Sequence, residues 1–411
     1  MKSSYKRIGD YIQLVDERNK GLKVQNLLGL SISKQFIPSV ANIIGTDMEN
    51  YKIIRRNQFA CSTMQVRRDK KMPVALLQEV DEAIISQAYP IFEVKDEKVL
   101  LPEYLMMWFT RSEFDREACF NAVGGVRGSL EWEDFENMQL PIPHIAKQRE
   151  IVKEYNVIQN RITLNQQLIQ KLEETAQAIC KQWFVDFEFP NENGLPYKSN
   201  GGEMVWCEEL QKDIPKDFEI ASIGKYSKVK SGFAFKSEWW QNSGIPVIKI
   251  GSINNNTIDI YSLDFVSRDK VEKAKNYRVQ EGDIVIAMTG ATIGKIGLVP
   301  KLNDTILVNQ RVGMFDLGKK PIDGAAFLYF NLLNDFVQNE IKNVGGDSAQ
   351  ANISNGQIQE IAMLYPTSDL ICKFNKIGKP IIETILGKIK ENQKLSELKE
   401  LLLSKLATVE N

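Results

Sequence analysis

Residues 151–183 read IVKEYNVIQNRITLNQQLIQKLEETAQAICKQW. Within them Ile151, Tyr155, Ile158, Ile162, Asn165, Ile169, Leu172, Ala176, Ile179 and Trp183 follow one another in alternating steps of four and three. A helix gathers such positions into one stripe, and a stripe of this period is a coiled-coil seam. At ~1.5 Å per residue the helix reaches about 50 Å, farther than one ordinary domain. The pattern therefore predicts packing on a second helix. A broader stripe near the C-terminus fits that role: Phe374, Ile377, Ile381, Ile385, Ile389, Asn392, Leu395, Leu398, Leu402 and Leu406, with Pro380 placing the helix start nearby. Each seam holds one asparagine followed by glutamine. Antiparallel pairing of residues 151–183 with residues 381–406 brings Asn165 and Asn392 together and makes them register-fixing residues.

The two helices close two copies of one pattern. Asn50-Tyr51-Lys52-Ile53 matches Asn276-Tyr277-Arg278-Val279. Gln87 matches Gln310, Phe92 Phe315, Leu105 Leu328, Glu117 Glu340 and Pro143 Pro366, all at an offset of 223. Ile8-Gly9-x-Tyr11 echoes Ile223-Gly224-x-Tyr226. An ordered series at a nearly constant offset marks an internal duplication. Each copy begins with short β-strands, as in GIPVIKIGSI and GDIVIAMTGATIGKIGLV. One helix follows, LPEYLMMWFTRSEFDREACF or AAFLYFNLLNDFVQNEIKNV. A Gly-rich loop, a proline-marked strand (QLPIP or MLYP) and the long helix complete it. WFVDFEFPNENG, at residues 183–194, reads as an exit into an acidic linker. The fold class is α+β: two pseudo-symmetric α/β domains separated by two long helices packed as an antiparallel coiled coil. The boundaries fall at 1–144 for the first domain, 145–190 for the central helix, 191–367 for the linker and second domain, and 368–411 for the distal helix.

Composition narrows the chemistry. The chain has 411 residues, 43% hydrophobic and 26% charged, with a net charge of −1. That excludes a uniformly basic protein but allows segregated charge. One histidine, His144, leaves no multi-His metal site. Five scattered cysteines without a C-x-x-C pair point to a reducing, cytoplasmic setting. The N-terminus lacks an apolar signal region, and no apolar run is long enough for a membrane helix. Residues 290–297, GATIGKIG, lack the spacing and the Ser/Thr of a phosphate loop. Neither Gly-x-Gly-x-x-Gly nor an N-P-P-Y motif is present. Asp81, Glu93 and Lys95 could hold a nuclease metal, but the second copy does not keep the set. The chain reads as non-catalytic.

Charge sits in patches. Residues 50–71 hold seven basic residues against one acid, Asp69; residues 223–249 hold five lysines against Glu238; residues 79–97 hold six acids and one lysine. Two basic runs in matching domains, beside polar Gly-rich loops, point to nucleic acid, its phosphates and base edges. The candidate nucleic-acid-binding residues are Arg67, Arg68, Lys70 and Lys71 in the first copy, with Arg127 and Ser129 in its GGVRGS loop. In the second copy they are Lys236, Lys249, Thr289, Lys295, Gln310 and Arg311, with Gln350 and Asn352 in GGDSAQANIS. The loop residues Arg127 and Ser129 are taken as equivalents of Gln350 and Asn352.

LPIPHIAKQREIV (residues 140–152), KQWFVDFEFP (181–190) and GDIVIAMTGATIGKIGLV with NQRVG (282–313) together resemble the specificity subunits of type I restriction–modification systems. Two features depart from that family. The second proline strand lacks Gln-x-x-Ile, and the first copy carries residues 63–71 in place of the Gly-rich loop. The resemblance implies a non-catalytic subunit with two target-recognition domains held apart by the conserved helices. It implies a bipartite, asymmetric target in double-stranded DNA. The helical pair sets the distance between the domains and is expected to place the half-sites about one DNA turn apart, roughly 34–36 Å. It further implies two modification subunits that methylate adenine with S-adenosylmethionine, and restriction subunits that use ATP and Mg, with no cofactor in this chain. A self-contained DNA-modifying enzyme and a coiled-coil scaffold are the alternatives. The first lacks its cofactor motifs, and the second has no use for duplicated basic domains.

Overall fold

The computed structural model describes residues 5–39, 47–125, 128–302, 305–346 and 351–408. The chain divides into two compact units, Met1–Ile162 with Lys394–Asn411, and Thr163–Gln393. The long helices Ile145–Phe184 and Ser368–Lys405 contribute to both.

In the first unit Ile12–Val15, Ile91–Val94, Phe59–Cys61 and Val74–Leu76 form an antiparallel sheet in that order. Alternate side chains of these strands face a core in which Phe59 stacks on Phe92 at 4.8 Å and Phe92 meets Phe135 edge-on at 5.5 Å. A second sheet pairs Glu17–Arg18, Lys52–Arg55 and Glu82–Ile85. The proline-marked strand Gln139–Pro141 returns to pair with Tyr5–Arg7.

The second unit repeats this order. Val229–Ser231, Val312–Phe315, Ile284–Ala287 and Ile296–Leu298 are neighbours in the same sequence, extended by Thr257–Ile258 and Ile253–Asn254. Arg278–Val279 pairs with Ile306–Val308 as Lys52–Arg55 pairs with Glu82–Ile85. Ala362–Tyr365 closes on Glu219–Ser222. The repeated Ile-Gly has a packing cause. A Cβ on Gly9 would lie 2.7 Å from the Glu136 Cβ, and one on Gly224 would lie 2.9 Å from the Gln359 Cβ. The preceding isoleucines donate backbone hydrogen bonds to matching acceptors, Ile8 to Met138 at 2.8 Å and Ile223 to Ile361 at 2.9 Å.

Four sequence expectations are corrected. Each single helix after the strands is two. Pro102–Thr110 and Ser112–Asn121 break at Arg111, which takes an extended conformation and lies buried with its guanidinium 4.2 Å from the Trp108 ring centre. Pro321–Leu332 and Asp335–Gly345 break at Asn334, whose side chain caps the second helix by accepting from the Phe336 N–H at 2.9 Å. The apolar period runs through both breaks and conceals them.

Pro380 lies inside the second long helix rather than at its start. The helix begins at Ser368, where Thr367 Oγ1 accepts the Leu370 N–H at 3.3 Å. An interior proline costs about 3 kcal/mol. Burial of Leu370, Ile371, Phe374, Ile382 and Ile385 along this helix offsets it. The stripe is also displaced: Ile377 and Leu398 are exposed, while Ile382, Leu386 and Leu403 are buried. The start of the expected linker is packed into the core, while Glu192–Pro196 and Lys198–Asn200 are exposed. Phe187 and Phe189 are buried, and Phe189 stacks on Tyr197 at 4.6 Å and on Phe218 at 5.3 Å.

All ten seam residues of the first long helix are buried or half-buried. In the second unit Asn165 Nδ2 donates to Asn392 Oδ1 at 2.9 Å, and the Trp183 and Phe374 rings meet at 5.6 Å. In the first unit Lys399 Nζ donates to Gln159 Oε1 at 3.2 Å, and Ile151 joins the core that holds Leu403 and Leu406. Within each unit one helix descends as the other ascends, so the pair is antiparallel.

Candidate nucleic-acid interface

In the first unit residues 63–71 follow the central strand Phe59–Cys61. They form one helical turn, Val66–Asp69, between Gln65 (φ 63°) and Lys70 (φ 52°). Two non-glycine residues in the left-handed region cost about 1–3 kcal/mol each and persist only where packing holds them. The holding contacts are visible. Val66 is buried, Arg67 Nη1 donates to the Gly124 carbonyl at 2.9 Å, and a Cβ at Gly128 would lie 2.9 Å from the Arg67 Cβ. Val123 bridges Ser129, and Leu130 N donates to Thr63 O at 2.9 Å. The loops selected separately in the sequence therefore lie side by side. Ser129 sits at the end of that bridge. Arg127 lies outside the described residues.

The basic run of this unit divides in two. Arg55 bonds to Glu17 and to Glu82 at 2.8 Å each, Arg56 pairs with Asp81 at 2.9 Å, and Lys52 lies 3.6 Å from Asp16. The acidic stretch thus supplies Asp81 and Glu82 as counter-charges, and Asp16 and Glu17 supply the others. Arg68 pairs with Asp69 at 2.6 Å, and that hydrogen bond holds the Asp69 carboxyl below its usual range. Lys70 and Lys71 project at the surface beside it.

In the second unit Thr289, Gln310, Arg311 and Asn352 line one cleft of 910 Å³ together with Ser231 and Asn355. Thr289 bridges Asn352, Gly290 N donates to Ala351 O at 2.8 Å, and Ile353 N donates to Met288 O at 3.0 Å. Leu130 and Ile353 thus dock their loops on matching strands, which places Ser129 and Asn352 at equivalent positions. Gln310, Arg311 and Asn352 are exposed. The Thr289 Oγ1 is buried without a hydrogen-bond partner among the described residues. Such a hydroxyl costs about 1–3 kcal/mol. It is available to a group that enters the cleft.

The remaining candidates are more scattered. Lys249 is drawn to Asp264 at 3.0 Å and lies over the Trp240 ring at 3.6 Å, so much of its charge is spent within the unit. Lys236 is exposed and 4.0 Å from Glu238. Lys295 is exposed on the Gly-rich loop but does not line the cleft. Gln350 lies outside the described residues. Sequence reasoning missed Ser231 and Asn355, which join at 2.9 Å at the cleft wall. The signal for Asn355 was the capping box Ser354-x-x-Gln357, which places a helix start at the loop end. Among the described residues no cluster of His, Cys, Asp and Glu could hold a metal, and no helix is long and apolar enough to cross a membrane.

The family model of the type I restriction modification DNA specificity domain matches residues 67–174 and 215–399. The type I restriction enzyme MjaVIII specificity subunit of Methanocaldococcus jannaschii is 26% identical over 278 residues, 67% of this chain and 62% of that relative. The HindI specificity subunit of Haemophilus influenzae is 21% identical over 380 residues, 80% of this chain and 81% of the relative. The crystal structure of a type I S subunit from M. genitalium shares the fold with a TM-score of 0.56 at 17% identity, over 99% of this chain and 96% of that one. With the model matching well over half of its length, the chain belongs to the type I restriction–modification DNA specificity family.

Proposed function

We propose that this chain reads a bipartite, asymmetric duplex target, one half-site per unit, and directs adenine methylation and restriction by partner subunits. The observation that carries the reading is the repeated pair of apposed loops. Thr63 and Arg67 meet Leu130 and Gly124 in one unit, and Met288, Thr289 and Gly290 meet Ile353, Asn352 and Ala351 in the other. Each pair follows matching strands, and exposed residues of the types that contact phosphates and base edges lie on it or beside it: Arg68, Lys70 and Lys71 in one unit, and Asn352 with Gln310 and Arg311 of the neighbouring turn in the other. S-adenosylmethionine, ATP and Mg belong to the modification and restriction partners in this reading. The experiment is methylome sequencing of cells that carry the chain with its modification partner. Exchanging residues 346–353 for those of another specificity should change one half of the methylated motif. An unchanged motif would refute the assignment.

The two long helices, which both contribute to each unit, serve as the ruler between half-sites. One heptad inserted after Asn165, with a matching heptad before Asn392, should lengthen the unread spacer and leave both half-sites the same. An unaltered spacer would show that the helices do not set it.

A further inference from the structure

The duplication extends to a contact that no DNA-facing residue makes. The helices Ser112–Asn121 and Asp335–Gly345 are counterparts, and the fourth residue of each is polar: Asp115 in one, Gln338 in the other. Asp115 Oδ1 accepts the backbone N–H of Met72 at 3.1 Å. Gln338 Nε2 donates to the backbone carbonyl of Gly294 at 3.2 Å and to that of Leu332 at 2.7 Å. Met72 stands two residues before the strand Val74–Leu76, and Gly294 two residues before Ile296–Leu298. One helix position therefore grips the same point of the loop in both units.

We infer that Asp115 and Gln338 are positioning residues for base reading, each fixing the loop that its own unit presents to DNA. The inference rests on the proposed function. The grips act on loops of different shape and with opposite polarity. In the first unit a carboxylate takes an N–H below the strained turn between Gln65 and Lys70. In the second an amide gives an N–H to Gly294, which sits at φ +82° in a glycine-rich turn. The far side of each loop is tied as well, by Arg67 to Gly124 and by Gly290 to Ala351. A loop pinned at both ends keeps its side chains within the narrow tolerance that base recognition requires.

Asp115 carries a second burden. It pairs with Lys34 at 2.8 Å, and both side chains are buried, at 11% and 7% exposure. Lys34 Nζ also donates to the Phe109 carbonyl and lies 5.0 Å from the Phe114 ring centre. Removing one member would strand a buried charge and destabilise the unit for reasons unrelated to reading. The test therefore changes both together.

The experiment uses the full chain in complex with its modification partner. Half-site preferences are scored by methylome sequencing and by binding to duplexes altered at single base pairs, and folding is checked by thermal unfolding. Lys34→Met with Asp115→Asn keeps an acceptor for the Met72 N–H and should preserve the motif. Lys34→Met with Asp115→Leu removes the acceptor and should relax the first half-site alone, on the order of tenfold at one or more positions. Gln338→Leu should relax the second half-site alone by a similar factor. A folded complex with unchanged discrimination for both leucine variants overturns the inference. So does equal weakening of both half-sites, which is what general destabilisation produces. Lys70→Ala with Lys71→Ala, measured in parallel, separates the two levels. If that pair also leaves DNA binding unchanged, the reading of this face as a DNA interface fails with it.

Discussion

Asn165 and Asn392 meet amide to amide, Nδ2 to Oδ1 at 2.9 Å, with Asn165 almost wholly buried. Each sits in a row of apolar seam residues, and only the register that opposes them gives both a partner. Replacing Asn392 leaves the buried Asn165 amide unpaired, a cost of about 1–3 kcal/mol. Asn392→Leu should therefore lower the unfolding free energy by that amount. Asn165→Leu with Asn392→Leu should recover most of it, a coupling of about 0.5–3 kcal/mol in a double-mutant cycle. Simple additivity in denaturant unfolding would show that the pair is not an energetic unit.

The orphaned Thr289 hydroxyl carries opposite consequences for stability and recognition. Thr289→Val keeps the shape and deletes a buried, unsatisfied oxygen. The free protein should gain about 1 kcal/mol. DNA discrimination in the second half-site should fall if the hydroxyl meets a base or a bridging water. Calorimetry and single-base-pair substitution binding, run on the same variant, give the two numbers. A variant that is less stable and equally discriminating would contradict both halves of the argument.

Much of this architecture is legible in the sequence because periodicity and repetition are long-range signals. The alternating seam from Ile151 to Trp183 locates the first long helix, and the Asn165–Asn392 contact follows from matching seams. The Ile-Gly repeats and the proline strands mark the closing sheet of each unit. Pro380 misleads because a local rule for helix starts competes with buried apolar contacts along the same helix, and burial prevails. Arg55 and Arg56 look like members of a DNA patch when charges are counted along the chain. Their partners Glu17, Asp81 and Glu82 are far in sequence and adjacent only across a sheet. The grip of Asp115 and Gln338 was invisible for a similar reason. The two residues differ in type, and only the folded position makes them equivalent.

Asp283 gives the second unit a pH dependence. Burial pushes its carboxyl up to about 6, although it accepts the Gln280 N–H at 2.7 Å. In the unfolded chain it titrates near 3.9. A raised acid binds its proton more tightly in the folded state, so its contribution is most favourable at low pH and is lost as pH rises from about 4 to 6. Asp283→Asn retains the acceptor without the charge. It should exceed the wild type in stability at pH 7 by on the order of 2–3 kcal/mol, at about 1.4 kcal/mol per unit. The difference should vanish below pH 4. A constant difference across that range would mean the carboxylate is solvated.

The division of the basic run predicts which substitutions change the salt dependence of DNA binding. Each phosphate contact contributes about 0.9 to the slope of log K against log salt. Lys70 and Lys71 are exposed with no ion pair among the described residues, so Lys70→Ala and Lys71→Ala should each reduce the slope by up to that amount. Arg55 and Arg56 already share carboxylates within the sheet. Arg55→Ala and Arg56→Ala should leave the slope unchanged, and as exposed ion pairs they should cost about 0–1 kcal/mol of stability. Arg67 lies between these classes, because its guanidinium holds Gly124 rather than a carboxylate. Arg67→Ala should weaken binding by loosening the two loops. Arg67→Lys should restore part of the slope but not the discrimination, since one ammonium cannot reproduce the guanidinium's directed bond. Equal slopes for the Arg55, Arg56, Lys70 and Lys71 variants would show that the DNA does not lie on the loop face of this unit.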